Sequence, residues 1–165
     1  GRPNSSITMA AFLHVAPGGM RFNGPDLGAW YASDDIRTAA AEVAHHLRRE
    51  AFATKVEKMS RVYRAYSATL DGNYRDIRAD YAPTNPLYAS SSYKASQKFG
   101  ETVRASGGAG ILYASLRRKN GVNAVAYRTH DILDLRQSDH FEITVFLARR
   151  MIDVRKLPAT RRLAK

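Results

Sequence analysis

The apolar and polar positions change period several times along the chain, and each change marks an element. Ile7 to Val15 is an almost unbroken apolar run that reads as a strand, and Pro17-Gly18-Gly19 turns it into Met20-Arg21-Phe22-Asn23. Asn23-Gly24-Pro25-Asp26 is a second turn signal, followed by a short strand from Ala29 to Ser33. Asp34 and Asp35 stand where a helix dipole favours anions, and Ile36, Ala40, Val43, Leu47 and Ala51 then recur at spacings of four, three, four and four. That spacing predicts an amphipathic helix. Glu42 falls off the centre of its apolar stripe, alongside Ala39 and His46, and so need not be buried in the core.

Residues 54–93 hold no clean period; they read as helical to about Leu70 and as loop beyond, with Pro83, Pro86 and the run Ser90 to Ser92. Six of the nine tyrosines fall between Tyr63 and Tyr93, which makes this an aromatic as well as an irregular segment. Lys94 to Ser106 predicts a second helix, stopped by Gly107 and Gly108 in a left-handed cap. Gly110 to Ser115 and Val122 to Arg128 are two strands around the turn signal Asn120-Gly121. Phe141, Ile143, Val145 and Leu147 alternate with Glu142, Thr144 and Phe146 in a last half-buried strand. The sum is one α+β domain over residues 1–165, with mixed or antiparallel sheets and flanking helices.

Composition narrows the class. A chain of 165 residues that is 44% hydrophobic and 25% charged is large enough for one sizeable core and too apolar to be disordered. The absence of cysteine removes disulfides, zinc ribbons and thiol nucleophiles together, and fits a reducing cytoplasm, the expected location. Pro3 to Met20 is uncharged, but its prolines and glycines argue against a signal peptide; no stretch is long enough to span a membrane, and residues 1–6 are given no structural role. The net charge of +11 would attract nucleic acid, an acidic protein or a polyphosphate, without choosing among them. Its one cluster lies in residues 148–165, where Arg149, Arg150, Arg155, Lys156, Arg161, Arg162 and Lys165 face only Asp153 and read as a solvated basic tail or partner contact.

Several familiar sites are missing. There is no HExxH, Walker A loop or GxGxxG, and none of the five glutamates lies two residues from another. The adjacent His45 and His46 cannot both face one metal on a helix, so no metal site is expected. What remains is an ordered set: Gly19-Met20-Arg21-Phe22-Asn23, then Tyr31-Ala32-Ser33, then Ala41-Glu42 through His46, and finally GAGILYASLR, which presents Ser115. These four blocks resemble the RES-domain toxins of RES-Xre toxin-antitoxin pairs, named for an Arg, a Glu and a Ser, most clearly over residues 18–128.

The resemblance implies a fold like that of ADP-ribosyltransferase toxins and NAD+ as the substrate. It makes Glu42, Arg21 and Tyr31 the catalytic candidates, and Arg21, Tyr31, Ser115, Asn23 and His46 the candidates for holding NAD+. It implies two partners, an Xre-like antitoxin and a host protein that accepts ADP-ribose. Phosphate or water as acceptor is the nearest alternative; a non-enzymatic basic nucleic-acid-binding domain is the distant one. The protein acceptor is preferred because the aromatic and basic stretch from Arg61 to Tyr93 reads as a recognition surface.

The residue types suit that chemistry independently. Breaking the nicotinamide-ribose bond leaves an oxocarbenium-like cation that a fixed carboxylate stabilises, an effect typically worth roughly 3 to 4 kcal/mol. An arginine fork suits a diphosphate or ribose, a serine hydroxyl donates one hydrogen bond, and a tyrosine face suits the nicotinamide ring. Each residue also has a plain structural reading: an Arg21 and Glu42 surface ion pair, a core Tyr31, a strand Ser115, and a His46 that only orients Glu42. It is the order of the blocks that favours function.

Overall fold

The structure is a computed structural model that describes residues 4–158; Gly1 to Pro3, and Arg161, Arg162 and Lys165 of the expected basic tail, lie outside the described residues. The elements run α1 (Ser5–Leu13), β1 (Trp30–Ser33), α2 (Ile36–Ala53), β2 (Lys58–Leu70), β3 (Tyr74–Asp76), α3 (Lys94–Ala105), β4 (Gly110–Ala114), β5 (Val122–Ala126), β6 (Ile132–Phe146) and β7 (Ile152–Lys156). The strands form two sheets, ordered β1-β5-β4-β3 and β2-β6-β7; all pairs are antiparallel except β3 with β4. This is the α+β architecture the patterning predicts.

Helix α2 is the hinge of the design. Asp35 caps it by accepting the Thr38 N–H at 2.7 Å. One side of α2 buries Ala40, Ala44, Leu47 and Ala51 against Ile143 and Val145 of the second sheet, with Met59 and Tyr63 closing the edges. Leu47 is 2% exposed, so its truncation to alanine would cost about 2 to 5 kcal/mol. The buried stripe is centred on Ala44 rather than Val43, and Ile36, at the solvent end, stays exposed. The first sheet carries the other cluster, in which Phe22, Ile77, Tyr88, Ile111, Tyr113, Val125 and Tyr127 pack together.

Four sequence expectations are corrected. Ile7 to Val15 is not a strand: its apolar run has no period of two to favour one, Ala10, Ala11 and Leu13 are good helix formers, and α1 results. Asn4 and Ser5 also have structural roles, Asn4 donating to the Leu135 carbonyl at 2.9 Å and Ser5 opening α1. Residues 58–70 are not helical but the long strand β2, rich in aromatic and β-branched residues. No residue of β2 is fully buried, so no apolar face repeats with a period of two, and the register shifts opposite Arg64 to Tyr66 and Ser67 to Thr69 each place one extra residue on β6. Finally, the basic tail is not wholly solvated chain, because Ile152–Lys156 forms β7 on β6, with Arg155 paired to Glu142 at 2.6 Å and Lys156 to Asp139 at 2.8 Å.

The chain beyond Leu70, as far as Tyr93, is the expected loop except for the short strand β3, which pairs with β4. β1, α2, α3, β4 and β5 fall where patterning puts them, and Gly107 ends α3 at φ +79°. The last strand begins at Ile132, nine residues before its legible alternation.

Candidate active site

Helix α3 clamps the segment that carries Arg21. Gln97 donates from Nε2 to the carbonyls of Gly18 at 2.9 Å and Met20 at 3.0 Å, and Glu101 accepts the Gly24 N–H at 3.0 Å. Gly100 faces the Phe22 carbonyl so closely that a Cβ would sit 2.0 Å from its oxygen; only glycine fits. Arg21 is thereby held 8% exposed, with Nη1 donating to Ala89 O at 2.9 Å and more weakly to Leu87 O at 3.4 Å. Its guanidinium lies 4.7 Å from the centre of the Tyr93 ring. Arg21 and Glu42 therefore form no ion pair.

Glu42 projects from the side of α2 opposite its core contacts. Two donors converge on one of its oxygens: Ser115 Oγ and Asn123 Nδ2, each 2.7 Å from Oε1. Both donors are locked. The Ser115 hydroxyl accepts the N–H groups of Arg117 at 3.1 Å and Arg118 at 3.2 Å, which turns its own proton toward Glu42. Ser33 donates to Asn123 Oδ1 at 2.7 Å, which fixes the amide with its NH2 toward the carboxylate. Gly121 lets the turn after Ser115 press on α2, since a Cβ there would meet Thr38 at 2.8 Å and the Ser115 Cβ at 3.2 Å. No described side chain donates to Oε2 of Glu42, which remains available to a ligand.

The Tyr31 hydroxyl is fully used, donating to Asn23 Oδ1 at 2.8 Å and accepting the Phe22 N–H at 2.9 Å. Burial holds its phenol well above the usual tyrosine value, against the pull of that N–H and of Arg104 and Arg21, so it stays neutral and offers its ring. Around these groups lies a cavity of about 250 Å³, walled by Arg21, Tyr31, Glu42, Tyr93, Arg117 and Asn123 among others. His45 and His46 stand at its edge; burial first, then Arg117 and neighbouring cations, press the His45 imidazole down to about 4. Burial also lowers His46, with Glu42 pulling the other way.

The family model described as the RES domain matches residues 2–145. The chain belongs to the RES-domain family. A comparison with curated proteins yields no significant match. Membership gives this RES domain the coarse character of a toxin-family enzyme domain that uses NAD+. No metal-ligating cluster of His, Cys, Asp or Glu occurs among the described residues, and none of their helices is long and apolar enough to cross a membrane.

The RES domain brings Arg21, Tyr31, Glu42 and His46 to one cavity. Ser115, 7% exposed, reaches it only through Glu42. Asn23 does not line it: at 1% exposure it donates to the carbonyls of Gly24 and Leu27, both at 3.0 Å, and acts through Tyr31. Sequence reasoning gave no role to Asn123, Ser33, Tyr93 or Arg117, although Ser33 and Arg117 fall inside the blocks that carry the resemblance. Asn123 did leave a signal, as a lone amide inside the otherwise apolar strand Val122–Ala126.

Proposed function

We propose that this RES domain is an NAD+-consuming toxin that breaks the nicotinamide-ribose bond and passes ADP-ribose to a host protein, under the control of an Xre-like antitoxin. The observation that carries the cleavage reading is the carboxylate of Glu42, pinned through Oε1 by two locked donors while no described residue donates to Oε2. Heterolysis leaves both electrons of the ribose C1′–N bond on the departing nicotinamide, whose ring charge is neutralised as positive charge grows at the ribose. A carboxylate that need not reorient stabilises that charge at no reorganisation cost. The aromatic face of Tyr31 suits the flat, cationic nicotinamide ring.

The preference for a protein acceptor rests on a groove of about 670 Å³ between the two sheets. It shares Tyr31, Ala32, Ser33, Ala39, Val43 and Asn123 with the cavity and continues past Tyr63, Arg64 and Tyr66. A protein loop has room there to approach the reacting carbon. Of the arginines first read as a recognition surface, Arg64 lines this groove, whereas Arg61 pairs with Glu50 and Arg78 with Asp76. The charge of +11 suits an antitoxin with acidic groups near the mouth.

Incubation with NAD+ labelled in its adenylate half, with and without phosphate and cell extract, tests the acceptor. A labelled protein whose labelling falls in Arg64→Gln, while slow hydrolysis persists, is the expected result. Phosphate-accelerated loss of NAD+ with no labelled protein would establish the rival reaction.

A further inference from the structure

Two arginines line the cavity, and the fold employs only one of them. Arg21 spends Nη1 on the carbonyls of Ala89 and Leu87 and lies against Tyr93. The Arg117 side chain, half-buried in the lining of the same cavity, has no acceptor among the described residues. Its neighbour Arg118 is fully engaged, with Nη1 donating to Asp35 at 2.9 Å and to Thr38 at 3.0 Å. The Arg117 backbone is fixed as well, because its N–H donates to the Ser115 hydroxyl that holds Glu42. The turn thus joins a carboxylate contact to an unpaired guanidinium two residues away.

We infer that Arg117 receives the diphosphate of NAD+. This rests on the proposed NAD+ reading of the cavity and deepens it. The substrate is dipolar: a pyridinium cation and a diphosphate dianion separated by one ribose. The cavity lining carries both signs too: Glu42, with one oxygen that no described side chain engages, and the unpaired guanidinium of Arg117. A planar fork of donors matches phosphate oxygens. The cavity is also smaller than the roughly 300–1,000 Å³ typical for a whole ligand of drug size, so a dinucleotide must leave it through the mouth. Arg117 borders the cavity but not the groove, which sends the diphosphate away from the groove and leaves that approach to the acceptor. Burial first, and then the charge of Arg117 among others, lowers His45 and His46, which agrees with a guanidinium close to this part of the cavity.

The test is calorimetric binding of two ligands, ADP-ribose and nicotinamide, to the wild-type protein and to Arg117→Ala and Arg117→Gln. Thermal melts confirm the fold of each variant. Both variants are expected to weaken ADP-ribose about 10- to 100-fold and to leave nicotinamide within about twofold, with Arg117→Lys intermediate. Equal weakening of both ligands would make Arg117 a structural residue, and unchanged ADP-ribose affinity would remove it from the site; either overturns the inference. A phosphate acceptor is the other source of the same chemistry. Arg117-dependent binding of inorganic phosphate to protein already saturated with ADP-ribose would assign the guanidinium to the acceptor and overturn it too. Nicotinamide release from NAD+ by the wild-type protein is scored separately. Its absence would sink the proposed reaction, while the contrast between the two ligands still decides Arg117.

Discussion

Asn123→Ala isolates the part of the site that depends on geometry rather than on the presence of the carboxylate. Asn123 is 2% exposed and donates to Glu42 Oε1 at 2.7 Å while accepting from Ser33 at 2.7 Å. The alanine removes one of the two donors that orient Glu42 and leaves the Ser33 hydroxyl without its acceptor. A hydrogen bond to a charged group is worth about 1.5 to 3 kcal/mol, so kcat should fall about 10- to 150-fold with little change in KM. Release of nicotinamide from NAD+ gives both constants, and a thermal melt shows whether the fold survives.

Two companions sharpen the result. Asn123→Asp replaces a donor by a second carboxylate at the same position, and only a protonated Asp can donate to Glu42; activity should be lost at high pH and recover in part as pH falls and the pair takes up one proton. Ser115→Ala removes the other donor to the same oxygen. The double variant with Asn123→Ala should then deviate from additivity, since both donors act on one group. A kcat within twofold of the parent in Asn123→Ala, with additive effects in the double variant, would refute the argument that Glu42 is held in place for reaction.

Arg21→Lys cannot span the Ala89 and Leu87 carbonyls and face Tyr93 at once; it should cost about 1.5 to 3 kcal/mol of stability in urea denaturation and raise the KM for NAD+, and no change in either would contradict that role. Gly121→Ala drives a methyl into Thr38 and Ser115, and should both destabilise by about 1 to 3 kcal/mol and lower kcat by displacing the Ser115 hydroxyl. His45, held at about 4 against the usual 6.5 of a histidine, binds fewer protons folded than unfolded between those values. Stability should therefore fall as pH drops from 6.5 toward 4, and urea titrations at several pH values should find a shallower fall in His45→Gln.

Much of this architecture is legible in the chain because local signals agree. In α2 the apolar stripe, the Asp35 cap and the placement of Glu42 off the stripe all point one way, and α3 ends at Gly107 as its glycine demands. β2 is illegible because none of its 13 residues is fully buried, so polar side chains fall on both faces and no apolar period of two emerges. β7 is hidden by composition, since its basic residues suggest solvent until Glu142 and Asp139 on β6 supply their partners. The site follows the same rule. Arg21, Tyr31 and Glu42 occur in blocks with local order, whereas the pairings of Glu42 with Ser115, Glu42 with Asn123, and Asn123 with Ser33 span 73, 81 and 90 residues. Only the folded chain brings those partners together.

In the proposed reaction the free oxygen of Glu42 faces the charge that develops when NAD+ is cleaved. Nicotinamide release from NAD+ by wild type and Glu42→Gln tests it most directly. The amide keeps the shape of the side chain without its charge, and Glu42 lies outside the core contacts of α2. The wild type should release nicotinamide, and Glu42→Gln should do so about 100- to 1,000-fold more slowly, at an unchanged melting temperature. Release by the variant within a few-fold of the parent, or none from the folded wild type, would contradict the account.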